Sequence, residues 1–147
     1  RMYGAVESGK WSLRGDCQAE AIVYEAVVTT QHDTRGYFGS TAPPFKLRLA
    51  NHKTSMRLAT YRNSTELSKH VWGLKSTNEA CEIRWRICER SRAYSNLTKR
   101  CPLCTAEKTW IALSNRDYAL NKRSEMVSKC RHASRYCLKD YAGAAIT

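Results

Sequence analysis

The sequence predicts an α/β domain of the α+β type, in which a small central antiparallel β-sheet is flanked by helices. Residues 22–30 are rich in β-branched and aromatic side chains, and a polar turn over residues 31–36 separates them from a second short strand at 37–40. Residues 82–87 alternate polar and apolar side chains strictly, which is typical of a strand with one buried face. Helical patterns lie between and after these strands, so the predicted order is β-β-α-α-β-α-α.

The predicted helices start at residues that suit a first turn or an N-cap. Pro44 and Pro102 have the backbone angle of a first helical turn, and Ser64 or Thr65 can cap the second helix. The four helices are predicted over residues 44–54, 65–75, 102–113 and 122–138.

The length and composition predict one globular domain. The chain has 147 residues, of which 42% are hydrophobic and 26% are charged, values that exclude a disordered or fibrous protein. No apolar run approaches the length that crosses a bilayer, so a membrane span is not expected. We predict the folded domain at residues 21–139, after an irregular lead-in at 1–20 and before a tail at 140–147.

Basic residues far outnumber acidic ones. Lys and Arg total 25 against 13 Asp and Glu, so the formal net charge is +12. Such an excess attracts polyanions, which makes nucleic acid the leading partner, with anionic membrane surfaces and acidic proteins as lesser options. Charge alone sets no specificity.

One carboxylate interrupts an apolar stripe in the helix that starts at Pro102. Leu103, Glu107, Trp110 and Ile111 have the spacing of one buried helix face. Burial of a carboxylate lowers the stability of a fold by several kcal/mol, on the order of 3 or more, unless the carboxylate is paired, protonated or bound to a cation. Glu107 is therefore either a salt-bridge partner or a ligand of Mg²⁺ or Mn²⁺, which prefer carboxylate, water and phosphate oxygens.

Arg48 and His52 lie four residues apart in the helix that follows Pro44, so they share a helix face. A guanidinium fork binds a phosphate well, and a neutral imidazole one turn away can accept a proton near neutral pH. The alternative is that both are ordinary surface or structural residues. The pair is a candidate for phosphate binding and proton transfer.

Four soft ligands have a spacing that suits zinc. Cys101 and Cys104 form a Cys-x-x-Cys knuckle, and Cys130 is followed two residues later by His132. A Cys₃His set of this kind holds tetrahedral Zn²⁺, and such a metal would join the start of the Glu107 helix to the C-terminal region. Buried thiols without a metal are the alternative.

The cysteine count leaves two compartments to consider. Seven cysteines and two glycosylation sequons, at Asn63 and Asn96, are compatible with a secreted, disulfide-linked basic protein. The odd count, the lack of a signal-like stretch at the start and the tight Cys-x-x-Cys pair favour a reducing, intracellular compartment instead. We expect an intracellular protein.

Two tripeptides, Ile22-Val23-Tyr24 and Tyr37-Phe38-Gly39, are followed in order by Arg48, His52, Glu107 and Asn121. This order resembles the GIY-YIG nuclease family, although the first tripeptide lacks the glycine of the family signature. The resemblance spans about residues 22–121. The sequences around Cys101, residues 120–125 and Cys130 are similar to the endonuclease domains of Penelope-like retroelements, which carry an added Cys/His metal motif. The positions that carry the match in order are Tyr24, Tyr37, Arg48, His52, Glu107 and Asn121.

This resemblance implies hydrolysis of DNA phosphodiesters with one divalent ion. Tyr24 and Tyr37 would line the site, and one of them would orient or deprotonate the attacking water, with His52 as the alternative base or as a partner of a tyrosine. Arg48 would bind the scissile phosphate, and Glu107 would hold Mg²⁺ or Mn²⁺. A free tyrosine has a pKa of about 10, so it is a poor base at neutral pH, and the residue that takes the proton from water stays open.

The resemblance also implies partners and a location. Asn121 would order the local hydrogen-bond network of the site. DNA would be the substrate, the location would be nuclear, no membrane would take part, and a nick with a 3′ hydroxyl would prime a reverse transcriptase domain of the parent polypeptide. The alternative function is a zinc-stabilised nucleic-acid-binding module without cleavage activity.

Overall fold

The structure, a computed structural model, describes residues 16–127 together with Cys130 and His132. It belongs to the α+β class with a small antiparallel sheet, as the sequence predicts. The strands are β1 (Ile22–Thr29), β2 (Thr34–Thr41) and β3 (Glu82–Arg90), and the helices are α1 (Phe45–Arg57), α2 (Glu66–Ser76) and α3 (Pro102–Leu113). Short 3₁₀ helices lie at Asp16–Gln18, Ala59–Tyr61 and Arg123–Met126.

The three strands pair in the order β2-β1-β3, and both pairings are antiparallel. β1 is therefore the central strand, with side chains buried on both faces, which explains why its apolar residues form a continuous run rather than an alternating one. β3 keeps one solvent-facing side, so its predicted alternation is observed as alternating burial from Glu82 to Arg86.

Helices cover both faces of the sheet. On one face, α1 and α2 pack their buried Phe45, Met56 and Leu67 against a core that includes Tyr24 and Trp85. On the other face, α3 packs Leu103 and Ala106 against Val23 of β1. Successive residues of β1 point to opposite faces, so this single strand contributes to both cores.

The helix starts confirm the capping signals. The Thr65 hydroxyl accepts a hydrogen bond from the Ser68 backbone N–H at 3.1 Å, and the Ser68 hydroxyl accepts one from the Thr65 N–H at 3.0 Å, a reciprocal capping box. Pro102 opens α3, and the Cys101 sulfur accepts from the Cys104 N–H at 3.4 Å. The predicted boundaries of α2 and α3 therefore agree with the structure within one residue.

The outer edge of β2 is covered by a short segment that follows α3. The Gly36 N–H donates to the Tyr118 carbonyl at 2.9 Å, and the Leu120 N–H donates to the Gly36 carbonyl at 2.7 Å. Two positions further along β2, the Asn121 side chain bonds both backbone groups of Phe38, each at 2.8 Å. This pairing satisfies part of an otherwise open sheet edge and fixes the position of the downstream chain.

Three predicted boundaries need correction. β2 begins at Thr34, inside the predicted turn, because the Thr30 N–H bonds the Asp33 carbonyl at 2.9 Å and closes a tighter turn. α1 extends one turn further than predicted, to Arg57. The predicted helix at 122–138 begins instead as one 3₁₀ turn at Arg123–Met126, and Cys130 is not helical. The Glu125 carboxylate accepts the Lys122 N–H at 2.7 Å, a cap that holds the start of this turn.

Several predictions fall outside the described residues. These are most of the lead-in at 1–20, the greater part of the helix predicted at 122–138, and the tail at 140–147. Within the described part of the chain, none of the helices combines the length and the apolar character needed to cross a bilayer.

Candidate active site and metal cluster

A cleft of about 270 Å³ lies beside the edge of β2, between α1 and α3. β2 contributes Tyr37 and Ser40 to its lining, α1 contributes Arg48, and α3 contributes Glu107. Glu125, from the segment that covers the β2 edge, closes another side. Residues far apart in the sequence thus surround one space.

Tyr24 lies behind this cleft, fully buried, at the centre of a polar contact between β1 and α1. Its hydroxyl lies 2.7 Å from His52 Nε2, and Arg48 Nε donates to the same hydroxyl at 3.2 Å. Arg48 and His52 therefore point to the same atom, as their four-residue spacing predicts. His52 itself does not line the cleft, and borders a separate cavity on the other side of Arg48.

His52 is held in its neutral form. It is 1% exposed, and burial, together with the nearby Arg48 guanidinium, lowers its pKa to about 3. The Tyr24 oxygen accepts from Arg48 Nε–H, and a neutral imidazole whose Nε2 is unprotonated accepts the Tyr24 proton in turn. In that tautomer of His52 the donor order runs from Arg48 to Tyr24 to His52.

Gly39 in β2 makes room for the Tyr24 ring. The two residues are directly opposite in the β1–β2 register. A Cβ atom at Gly39 would lie 2.4 Å from the Tyr24 hydroxyl oxygen and 2.6 Å from Cζ, closer than any real contact. Glycine is therefore required here by close approach, because any side chain would displace the tyrosine.

Tyr37 lines the cleft from β2 and is 7% exposed. Burial raises its pKa far above the ordinary tyrosine value, Tyr24 and Glu125 raise it further, and Arg48 opposes the increase. The Tyr37 side chain is therefore a neutral phenol at physiological pH in this environment. It can donate a hydrogen bond to a ligand, and it becomes a base only if a bound cation stabilises the phenolate.

Glu107 lies at the border between the α3 core and the cleft. The stripe predicted for α3 is confirmed for Leu103 and Ile111, which are buried, whereas Glu107 and Trp110 are half-buried. The Ser40 hydroxyl donates to Glu107 Oε1 at 2.6 Å. The carboxylate thus sits at the edge of the apolar face, in contact with β2 and open to the cleft.

Asn121 stands at the β2 edge and does not line the cleft. Besides its two bonds to Phe38, its Nδ2 donates to Glu125 Oε1 at 3.0 Å. Glu125 accepts a second bond from the Lys122 N–H, so both of its carboxylate oxygens are oriented. Asn121 therefore positions the Glu125 carboxylate of the cleft, because it bonds both this carboxylate and the backbone of β2.

Cys101, Cys104, Cys130 and His132 come together in one cluster whose ligand atoms all lie within 4.8 Å of one another. The three sulfurs lie 3.4, 3.1 and 3.7 Å from His132 Nδ1, in the same order. A tetrahedral zinc ion with ligand distances of about 2.3 Å to sulfur and about 2.0 Å to nitrogen requires sulfur–nitrogen separations of about 3.5 Å. The cluster could therefore hold a metal such as zinc.

The protonation of these thiols also fits a metal site. Burial raises the pKa of Cys101 and of Cys104, and for Cys104 the neighbouring thiols raise it further. Several thiols packed together are thus neutral without a cation, and a bound zinc ion would hold them as thiolates. Three soft sulfurs and one imidazole are the donor set that zinc prefers.

The metal cluster and the cleft are adjacent. Cys104 and His132 line the cleft as well as the cluster, and Glu107 follows Cys104 by one helical turn. A metal here would join the segment at Cys130 and His132 to the start of α3. The helix that carries Glu107 would then be held at its first turn.

Among the six described cysteines, none forms a disulfide. Cys88 lies in β3 and packs beside the core of Val23 and Leu103. Cys137 lies outside the described residues. The disulfide-linked alternative finds no pairing in the described part of the chain.

Two cleft residues, Ser40 and Glu125, were missed by sequence reasoning. Ser40 is a small polar residue in a strand, and nothing in the sequence indicates that α3 will bring a carboxylate to it. Glu125 had a weak local signal, since a glutamate three residues after Lys122 suits a cap, but its place in the cleft depends on the path of residues 118–121 along β2.

Comparisons with family models, curated proteins and solved structures found no match to this chain.

Proposed function

We propose that this chain is a divalent-metal-dependent DNA endonuclease of the GIY-YIG type that hydrolyses phosphodiester bonds. The observation that carries the proposal is that Tyr37, Arg48 and Glu107 border one cleft, although they come from a strand and two helices on different faces of the sheet. A phenol can orient a water, a guanidinium can bind a phosphate and a carboxylate can hold a metal, so these three groups around one space can support phosphodiester hydrolysis.

Glu107 is the residue that would hold the metal. Its Oε1 accepts from Ser40, which fixes the orientation of the carboxylate. Mg²⁺ or Mn²⁺ binds through one or two carboxylates and completes its coordination with water and substrate phosphate, and it supplies charge stabilisation to the phosphate and the leaving oxygen. Glu125 is a second oriented carboxylate on the same cleft.

Arg48 would bind the scissile phosphate. Its Nε–H donates to the Tyr24 hydroxyl, which holds the guanidinium plane, and its two terminal amino groups are the donors that remain for phosphate oxygens. Charge builds on these oxygens in the transition state, so a guanidinium held in advance stabilises that state more than the ground state.

Tyr37 would orient the attacking water. Tyr37 lines the cleft, whereas Tyr24 and His52 do not, and a neutral phenol is a suitable hydrogen-bond partner for water. The pair Tyr24 and His52 is the less suitable route for the proton, because a pKa of about 3 makes His52 a poor base near neutral pH and neither residue lines the cleft.

The resemblance to Penelope-like retroelements extends this proposal to the biological role. The chain would nick nuclear DNA and leave a 3′ hydroxyl that primes a reverse transcriptase domain of the same polypeptide. The net charge of +12 supports a polyanionic partner. The Cys/His cluster supports a second candidate, a zinc-stabilised module that binds nucleic acid without cutting it.

The test is the Glu107→Gln variant in a plasmid-nicking assay with Mg²⁺. We expect nicking to fall by about a hundredfold or more, because the metal loses its carboxylate, while the affinity for DNA changes little. The matched control is Glu82→Gln, an exposed glutamate on β3 outside the cleft, which should nick as the wild type does. Nicking by Glu107→Gln at the wild-type rate would exclude the proposed role, and no nicking by the wild type would favour the binding module.

A further inference from the structure

A second cavity, of about 400 Å³, adjoins the cleft across helix α1. Arg48 and Asn51 line both spaces, so the two are neighbours that share one wall. The second cavity extends from that wall to Tyr61 and to the start of α2 at Thr65. A polymer strand bound at Arg48 would therefore lie within reach of both spaces.

Tyr61 stands at this cavity with half of its surface exposed. It ends the 3₁₀ turn after α1, where its N–H donates to the Leu58 carbonyl at 3.0 Å. Its own carbonyl accepts from the Ser64 N–H at 3.0 Å and from the Ser64 hydroxyl at 2.6 Å. The backbone of Tyr61 is thus held on both sides while its ring stays accessible.

The charge of the second cavity differs from that of the cleft. Arg48 is its one cation and the described residues that line it include no carboxylate, whereas Glu107 and Glu125 face the cleft. Buried His52 contributes a neutral imidazole. The remaining lining groups are an amide and hydroxyls, which suit an uncharged polar ligand next to an anion at Arg48.

A phosphate is a poor fit for the far end of this cavity. The capping box between Thr65 and Ser68 already uses the N–H groups of these two residues, which leaves fewer donors for an anion at the start of α2. An uncharged, planar ligand that stacks on an aromatic ring fits the lining better. The volume is within the range of small-molecule sites in proteins, about 300–1,000 Å³.

We propose that this cavity receives an unstacked nucleobase of the DNA strand to be cut, beside the phosphate at Arg48, with Tyr61 as the stacking surface and Asn51 within reach of the base edge. The inference rests on the proposed nuclease function, since Arg48 binds the scissile phosphate in both. Arg48 and Asn51 are separated by about one turn of α1, roughly 5 Å, so the base would belong to a nucleotide next to the cut. The site then distinguishes substrates by how easily that base leaves the duplex.

The experiment measures DNA binding without cleavage, by fluorescence anisotropy with Mg²⁺ omitted and zinc retained. The probes are a single-stranded oligonucleotide, the same sequence as a duplex, and that duplex with a one-nucleotide bulge. We expect the wild type to bind the single strand and the bulged duplex more tightly than the perfect duplex. Tyr61→Ala should lose about tenfold in affinity for these two probes, because stacking of one base is lost, while Tyr61→Phe keeps the stacking ring and the affinity.

Tyr94→Ala is the matched control, because Tyr94 is a partly exposed tyrosine outside both cavities and should bind all three probes as the wild type does. The inference is overturned if Tyr61→Ala binds every probe like the wild type, or if Tyr61→Phe loses as much as Tyr61→Ala. If the wild type shows the expected Tyr61-dependent binding but nicks no plasmid with Mg²⁺, the nuclease proposal fails and the base site stands. If the wild type nicks plasmid normally and Tyr61 has no effect on binding, the nuclease proposal stands and the base site fails.

Discussion

Two neighbouring residues of the central strand, Tyr24 and Glu25, point to opposite faces of the sheet, and each is buried in contact with an arginine. The Tyr24 hydroxyl contacts Arg48 at 3.2 Å and His52 at 2.7 Å. Glu25, 4% exposed, accepts from Arg86 Nε at 2.6 Å and from the Tyr118 hydroxyl. The two contacts use similar residue types, yet only the first borders the proposed active site.

The difference lies in where the arginine charge is neutralised. Arg86 contacts the buried carboxylate of Glu25 directly, so the two form an ion pair in which the opposite charges neutralise each other inside the fold. Arg48 meets a neutral tyrosine and a neutral histidine, so its charge stays directed to the cleft that it shares with Glu107. A positive group held by neutral partners is prepared to bind an anion, whereas one held by a carboxylate stabilises structure.

Removal of zinc should have the largest effect on stability. It should act at the cleft that Arg48 borders, because the Cys/His cluster adjoins the cleft. If zinc binds the four-residue cluster, a free zinc concentration about a thousandfold above Kd stabilises the fold by about 4 kcal/mol. Chelation should therefore lower the free energy of unfolding by about that amount in urea titrations. Elemental analysis should find about one zinc per chain.

Cys104→Ser should remove this dependence on zinc, because it deletes one ligand of the cluster. Cys88→Ser, a thiol in β3 outside the cluster, should keep the wild-type dependence. Equal stability of the wild type with zinc and with a chelator would show that the cluster is only a group of packed thiols.

Exchange of the two arginines for methionine should separate stability from activity. Arg86→Met leaves the Glu25 carboxylate buried without its cation, which should lower the free energy of unfolding by about 2 kcal/mol, because Arg86 itself is half exposed, while the folded variant still nicks DNA. Arg48→Met leaves no charge buried, so it should cost only about 1 kcal/mol in stability but reduce nicking by about a hundredfold. Urea titration and plasmid nicking on both variants measure the two effects.

The comparison would break if the two arginine variants behaved alike. A stable Arg86→Met variant would mean that Glu25 is protonated or finds other partners. An active Arg48→Met variant would mean that another cation binds the phosphate.

A smaller effect should appear in the pH dependence of stability, because the Tyr24 contact requires neutral His52. The pKa of His52 is about 3 in the folded protein and about 6.5 in the unfolded chain, so below pH 6.5 the unfolded chain binds the extra proton. Stability from this source is complete above about pH 6.5 and is lost as the pH falls towards 3. The slope reaches about 1.4 kcal/mol per pH unit between about pH 6 and pH 4.

His52→Gln should not show this slope, because glutamine does not titrate. Urea titrations between about pH 7 and pH 4 should therefore show the stability gap between the wild type and His52→Gln narrowing as the pH falls. His70, whose pKa burial also lowers, is present in both proteins and cancels in the difference. Parallel pH profiles of the two proteins would show that His52 is already charged in the fold.

Much of the fold could be predicted because its signals are local. The alternation in β3, the β-branched run in β1, and the capping residues of α2 and α3 each depend on a few neighbouring side chains. The helix predicted at 122–138 shows the limit of such signals, because its described start is a 3₁₀ turn that follows the contacts of Asn121 with β2.

The site could be predicted only in part. Glu107 was identified as a polar residue in an apolar stripe, and Arg48 and His52 by their shared helix face. Glu25 gave no such signal, since its polar partners come from β3 and from Tyr118, 93 positions away. Ser40 and Glu125 likewise became site residues only when distant segments met at the β2 edge.

The sequence by itself determined the strand and helix segments, the basic charge and the donor types in the Cys/His cluster, because these depend on side-chain chemistry and short spacing. Tertiary structure decided which charges are used within the fold and which face the cleft. Strand pairing places Tyr24 over Gly39 and Glu25 beside Arg86, and α3 brings Glu107 to Ser40. Such contacts join residues far apart in the chain, so their geometry exists only after the sheet and its helices have packed.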